Sequence, residues 1–244
     1  MHQLNPAQIH HYRQNGYLVV DGLLTCTEVD AFVAYEAGLD DIGPRGLKNH
    51  RDDAQWAQLA HHPNITGVVR QLLASSPRIV QTMYLDKAPR GGTGIALHQD
   101  THYLRNEPNT LMACWIALSD TDPDNGGLCV VPGSNHGGLY DFTKVRDEGE
   151  HTSWEKPYPM RDRDGKEWEE LMHSFDILGV EEDEIEQLTV AKGSAVFFTG
   201  LTVHGSYANH TPDRPRRAFA THYVGEETWL YRCDVQETEP VKCV

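Results

Sequence analysis

Two rhythms of apolar and polar positions divide the chain near residue 78. Before it, the spacing is helical. Asn5-Pro6 reads as cap and first residue of a short helix that Gly16 stops, and Tyr17 to Val20 then read as a strand. Thr25-Cys26-Thr27-Glu28 has the form of a capping box and opens a second helix running to about Gly38. After Pro63, Ile65, Val68, Val69, Leu72 and Leu73 recur at the spacing of one helical face. From Arg78 onward short β-rich runs take over, at 79–85, 95–100, 110–118, 127–131, 187–190, 195–199, 202–207 and 216–224. Gly, Pro, Asn and Asp separate them, as in Pro89-Arg90-Gly91-Gly92 and Asp124-Asn125-Gly126-Gly127. Many short strands with such punctuation predict an antiparallel sandwich or barrel behind N-terminal helices.

One stretch breaks the second rhythm. Residues 137–186 are polar, acidic and aromatic, with Trp154, Tyr158, Trp168 and two short patches of helical spacing. A long excursion inside a β domain is typically a lid or binding loop, and that is the role expected of it within a single domain spanning 1–244.

Composition narrows the function classes. The 244 residues carry a formal charge of −15 and 39% hydrophobic residues, enough for one core, and the acidity argues against nucleic acid or an anionic membrane as partner. Five scattered cysteines (26, 114, 129, 233 and 243) form no Cys-x-x-Cys pair, which fits reduced thiols and a cytoplasmic location. The segment from Met1 to Pro6 has no basic and apolar succession of a secretory leader, and no apolar run approaches membrane-spanning length.

Candidate chemistry begins at His98-Gln99-Asp100. On a strand, residues i and i+2 share a face, so this imidazole and this carboxylate are expected to point into one cavity. His204, in Val203-His204-Gly205 after the apolar run 195–198, supplies an imidazole from a late strand. Two histidines and one carboxylate on one face of a metal leave three positions open, the arrangement of non-haem Fe(II) oxygenases. The other histidines have plainer roles: His102 beyond the strand end, His136 fixing the turn it follows, His222 in the core or behind the ligands, His61 and His62 exposed ahead of a helix. Downstream lie Arg214, Arg216 and Arg217. A guanidinium is a rigid fork matched to a carboxylate, which a 2-oxoglutarate cosubstrate would present, although surface charge accounts for at least one of the three.

Together these motifs resemble the phytanoyl-CoA dioxygenase family. The likeness is carried by Gln81-x-x-Tyr84-x-x-Lys87-x-Pro89, His98-Gln99-Asp100, Trp115-Ile116-Ala117-Leu118-x-Asp120, Asn125-Gly126-x-Leu128, Pro132-Gly133-Ser134-x-His136, His204-Gly205-Ser206 and Arg216-Arg217-Ala218, in order. It covers roughly 5–136 and 187–224 and leaves the excursion unmatched. The resemblance implies a mainly β, double-stranded β-helix (jelly-roll) fold of cupin type, with Fe(II), 2-oxoglutarate and O2. It implies His98, Asp100 and His204 as iron ligands and Arg216 as the cosubstrate clamp, with Arg217 the alternative because the spacing from His204 is one residue longer than usual. Gln81, Trp115 and Ser206 match positions around the cosubstrate.

The activity expected is hydroxylation of an unactivated C–H bond of a small molecule, with succinate and CO2 as coproducts. Asp100 bears on the outcome, since related halogenases carry a small residue there. A non-catalytic metal-binding jelly-roll and a metal cupin enzyme independent of 2-oxoglutarate are the alternatives. Glutamates 148, 150, 155, 167, 169, 170, 181, 182 and 184, with Asp183, dominate the excursion over Lys144, Arg146, Lys156, Arg161, Arg163 and Lys166. That balance favours a free metabolite or natural product over an acyl-CoA. Oligomeric state is left open.

Overall fold

Local signals set the ends of the helices that come first. The structure, a computed structural model, describes residues 2–39, 49–145 and 150–242. Helix α1 (Pro6–Asn15) opens on a reciprocal cap between Asn5 and Gln8 and ends at Gly16, whose φ of 78° is left-handed. A Cβ on Gly16 would also lie 2.5 Å from Thr202 Oγ1, so conformation and space both demand glycine. Helix α2 (Cys26–Ala37) repeats the reciprocal cap with Thr25 and Glu28. Two short helices, α3 (Asn49–Asp52) and α4 (Ala54–Ala60), precede α5 (Pro63–Leu73), which buries Ile65, Val68 and Val69.

The strands are β1 (Tyr17–Val20), β2 (Pro77–Lys87), β3 (Ile95–His98), β4 (Asn106–Glu107), β5 (Met112–Ala117), β6 (Leu128–Val130), β7 (Phe142–Lys144), β8 (Glu155–Arg161), β9 (Glu167–His173), β10 (Phe175–Ile177), β11 (Glu186–Gln187), β12 (Ala195–Thr199), β13 (His204–Ser206), β14 (Arg216–Gly225), β15 (Trp229–Leu230) and β16 (Glu239–Pro240), with one helical turn, α6 (Asp100–Tyr103), after β3. A six-stranded sheet runs β1-β12-β5-β14-β2-β16 and a four-stranded sheet runs β11-β6-β13-β3. The pairings within both are antiparallel.

Alternation along β5 shows how the layers close. Ala113, Trp115 and Ala117 pack with Val196, Phe198, Ala218 and Ala220 against Leu128 and Val130 of the second sheet. Cys114 and Ile116 point the other way and join Phe197, Phe219 and Tyr223 under the helices. There Phe219 meets Phe32 and Trp56 edge-on, with ring centroids 5.5 and 5.2 Å away. The result is the expected mainly β jelly-roll backed by N-terminal helices.

Three expectations need correction. Asp100 is not on a strand: β3 ends at His98 and Asp100 begins α6. The excursion is built from paired strands, β7 with β10 and β8 with β9, and among its described residues the helical content is one 3-10 turn at Glu182–Glu184. His61 and His62 are buried, held by Glu239 at 3.1 Å and Glu28 at 3.3 Å, because the C-terminal segment and α2 cover them. Arg146, Glu148 and Cys243 lie outside the described residues. Among the described residues no helix is long and apolar enough to cross a membrane.

Candidate active site

β3 and β13 pair so that His98 and His204 sit opposite each other, with ring centroids 4.2 Å apart. That approach needs Gly205, where a Cβ would fall 2.7 Å from the Ile95 carbonyl oxygen. The turn into α6 then brings Asp100 under both rings, and Asp100 Oδ1 lies 3.7 Å from His98 Nε2 and 3.8 Å from His204 Nε2. One ligand atom from each of the three residues falls within 4.8 Å of the others.

Hydrogen bonds settle which nitrogens face the centre. His98 Nδ1 is 2.9 Å from the Ala96 carbonyl and His204 Nδ1 is 3.0 Å from the Thr202 carbonyl. A carbonyl only accepts, so both Nδ1 atoms carry the proton and both Nε2 lone pairs point inward. Burial, then the neighbouring His204, pushes His98 down to about 4, and burial also lowers His204. Burial alone would raise Asp100, but His222 and His204 outweigh it and hold the carboxyl well below the usual carboxylate range. Two neutral imidazoles and an ionised carboxylate are the protonation states a divalent metal requires. A donor set of two nitrogens and one oxygen, without thiolate, fits iron with open positions.

A second cluster lies on the same inner face. Arg216 is 3% exposed, and its guanidinium lies 5.9 Å from the Trp115 ring centroid. Arg216 Nε donates to the Gly126 carbonyl at 3.1 Å, while Nη1 is buried without a hydrogen-bond partner. Burial pushes this guanidinium down to about 10, with only Asp86 opposing at a distance. An unpaired buried donor on a cation costs about 1–3 kcal/mol or more, so the pocket is complementary to an anion, and the distal carboxylate of 2-oxoglutarate fits. Ser206, two residues past His204, has its Oγ 2.8 Å from Lys87 Nζ, and Lys87 also donates to the Tyr207 carbonyl at 2.5 Å. Burial and the Arg216 charge push Lys87 down to about 6.

Arg217 and Arg214 lie outside this cluster, paired with Asp86 at 3.3 Å and Asp122 at 2.5 Å on the surface. Gln81 is not beside Arg216; it sits behind Asp100, 3.2 Å from His222 Nδ1. His136 holds its turn to the Gln14 carbonyl at 2.9 Å. Sequence reasoning assigned no role to Arg232, Tyr103 or Lys87, the last entering only as a motif letter. The Tyr103 ring is 5.8 Å from His98 and stacks on Phe175 at 4.5 Å, with Trp154 at 5.4 Å, so the excursion packs on the His98 side of the site. A cavity of about 180 Å³ beside Tyr103 is bordered by His102, Phe142, Leu171 and Phe175.

The family model for phytanoyl-CoA dioxygenase matches residues 12–218. The phytanoyl-CoA dioxygenase domain-containing protein 1 homolog of Caenorhabditis elegans is 27% identical over 96% of this chain and 74% of its own length. The mouse (Mus musculus) phytanoyl-CoA dioxygenase domain-containing protein 1 is 30% identical over 75% of this chain, which spans 57% of that protein. Among solved structures, the epimerase SnoN in complex with Fe3+, alpha ketoglutarate and nogalamycin RO shares the fold at a TM-score of 0.67 and 21% identity, covering 93% of this chain and 87% of that one. With its motifs in order and its match to the family model over most of its length, the chain belongs to the phytanoyl-CoA dioxygenase family, and so is an enzyme of the iron- and 2-oxoglutarate-dependent oxygenases, which use Fe(II), 2-oxoglutarate and O2.

Proposed function

We propose that the chain hydroxylates an unactivated C–H bond of a small molecule, working as one domain with 137–186 as its lid. His98, Asp100 and His204 hold the iron, Arg216 grips the distal carboxylate of 2-oxoglutarate, Ser206 adds a hydroxyl donor, and Trp115 packs along the guanidinium. Iron bound there with 2-oxoglutarate and dioxygen supplies the oxidising power, and succinate and CO2 leave as coproducts. The chain's own part is to keep both imidazoles neutral through the Ala96 and Thr202 carbonyls, to hold the cosubstrate on a preformed fork, and to exclude water beneath Tyr103, Trp154 and Phe175. A carboxylate at Asp100 takes the position a halide would need, which supports oxygen transfer. The observation that carries this reading is the conjunction of the converging Nε2–Oδ1 triad with a buried arginine nitrogen that lacks a partner.

The excursion supports a free metabolite or natural product rather than an acyl-CoA. Three of its described cations are engaged: Lys144 with Glu155 at 2.7 Å, Arg161 with Gln236, and Arg163 with the carbonyls of Glu107 and Glu227. Nearby Arg105 pairs with Glu170 at 3.4 Å. A CoA diphosphate would have to displace such pairs.

Anaerobic titration of Fe(II) and 2-oxoglutarate tests the assignment through the metal-to-ligand charge-transfer band. Wild type should develop it; His204→Ala should not, and Arg216→Ala should need far more 2-oxoglutarate. A His204→Ala protein that binds Fe(II) as wild type does would refute the triad.

A further inference from the structure

Asp100 has two carboxylate oxygens, and they meet different company. Oδ1 faces His98 and His204, whereas Oδ2 lies 2.9 Å from His222 Nε2. Behind His222 the row continues: Nδ1 is 3.2 Å from Gln81 Nε2, Gln81 Oε1 is 3.3 Å from Arg232 Nη2, and Arg232 Nε is 2.7 Å from Asp234 Oδ1. Tyr158 of β8 covers the Arg232 guanidinium with its ring centroid at 4.5 Å. His222, Gln81 and Arg232 are each no more than 5% exposed.

The chemistry of the row permits one direction. A guanidinium only donates, so the Gln81 atom against Arg232 is the amide oxygen. The amide nitrogen therefore faces His222, and it only donates, so His222 Nδ1 accepts and carries no proton. A neutral His222 then has its hydrogen on Nε2, aimed at Asp100 Oδ2. Turning the Gln81 amide over would set its NH2 against the guanidinium, donor on donor. The tautomer is thus fixed from Arg232, on a segment after β15 that carries no sequence motif.

We propose that His222, Gln81 and Arg232 are positioning residues that reserve Asp100 Oδ2, so that the carboxylate offers the metal Oδ1 alone. This rests on the reading of Asp100 as a metal ligand. A carboxylate binding through both oxygens would take an extra coordination position, one that cosubstrate or O2 needs. Holding Oδ2 with a neutral donor prevents that swing and leaves the charge of the centre unchanged.

Nitrogen-15 NMR of the metal-free protein reads the tautomer directly: His222 is expected protonated on Nε2 and not on Nδ1, and the reverse would overturn the proposal. With Fe(II) added anaerobically, His222→Leu should bind metal about 10- to 100-fold more weakly. X-ray absorption should show its carboxylate shifting from one coordinating oxygen towards two. His222→Gln, whose amide nitrogen can reach Oδ2, should recover most of the affinity. If His222→Leu does not fold, Gln81→Met serves, since it keeps the imidazole but removes the donor to Nδ1; it should mix the tautomers and weaken Fe(II) binding. Wild-type affinity and one-oxygen coordination in the leucine variant, or in Gln81→Met, would refute the positioning role. Failure of the underlying reading looks different, because then Asp100→Ala itself would keep its metal.

Discussion

At Arg216, loss of the fork should be felt by the cosubstrate and not by the metal. Arg216→Ala is expected to weaken 2-oxoglutarate binding by roughly 2–5 kcal/mol, the scale of truncating a buried charge pair. Fe(II) affinity should stay within about twofold, because Arg216 is bonded to Gly126 and packed on Trp115, not on the histidines. Equal damage from Arg217→Ala would count against the assignment, since Arg217 already pairs with Asp86 at the surface. Lys87 allows a test without ligand. An unfolded lysine keeps its proton to about 10.5, whereas folded Lys87 releases it at about 6. Between those values the unfolded state binds more protons, so stability rises with pH, at most by about 1.4 kcal/mol per pH unit. Lys87→Met has no such group and should lack that slope. Urea unfolding of both proteins between pH 6 and 9 checks it, and parallel stability curves would show that Lys87 stays charged when folded.

At the scale of elements, the site depends on how closely β13 lies against β3. Gly205→Ala would press a methyl group into the Ile95 carbonyl oxygen at 2.7 Å, and the strand bearing His204 must shift away from His98. Metal affinity should fall by about an order of magnitude, while the melting temperature drops only modestly, because the methyl group would meet Ile95, Ala96 and Leu97, which lie outside the clusters on the two faces of the larger sheet. Metal titration beside thermal melts separates the two effects. The same pair of strands shows what was legible in advance. His98, Asp100 and His204 stood out as residue types at a spacing, and His98 and His204 do lie on paired strands, but the geometry first assigned to Asp100 was wrong. Asp100 joins the site through the first turn of α6, not through strand alternation. The β core was readable because β5 and β12 are short, nearly continuous apolar runs buried on both faces. The excursion was not: it was expected to hold two short helical patches, whereas Glu155–Arg161, with Pro157 and Pro159 inside it, and Glu167–His173 pair as a hairpin. His61, His62 and Arg232 were opaque for a different reason. Their partners, Glu239, Glu28 and Gln81, come from segments 178, 34 and 151 residues away, and no local pattern carries that.

For the molecule as a whole, the excursion divides into a part fixed beside His98 and a part that projects from it. Trp154 and Phe175 rest on Tyr103, and the chain closes beneath the hairpin where Trp154 and Ser174 exchange hydrogen bonds, Trp154 N to Ser174 Oγ at 2.8 Å and Ser174 N to the Trp154 carbonyl at 2.9 Å. Residues 155–173 can therefore be replaced by a short Gly/Ser turn without stretching the backbone. The excised strands contribute Glu170, Leu171, Met172 and His173 to the cavity beside Tyr103, so the variant should bind Fe(II) and still decarboxylate 2-oxoglutarate without substrate, yet lose coupled hydroxylation. Some stability must go as well. Met160 is fully buried, Arg161 bonds Gln236, and Tyr158 covers Arg232, so the hairpin is fastened to the C-terminal segment and not merely laid over the surface. Losing Met160 alone should cost about 2–5 kcal/mol, and the loss should appear as a lower melting temperature with the sandwich intact. Because Tyr158 goes with the hairpin, Arg232→Lys in the full-length chain serves as the control for any change at Asp100. Oxygen consumption and succinate release, measured together on the excised variant, decide the question. Coupling that survives the excision removes the lid role, and a change in solution mass with coupling intact would make the hairpin a contact between copies of the chain.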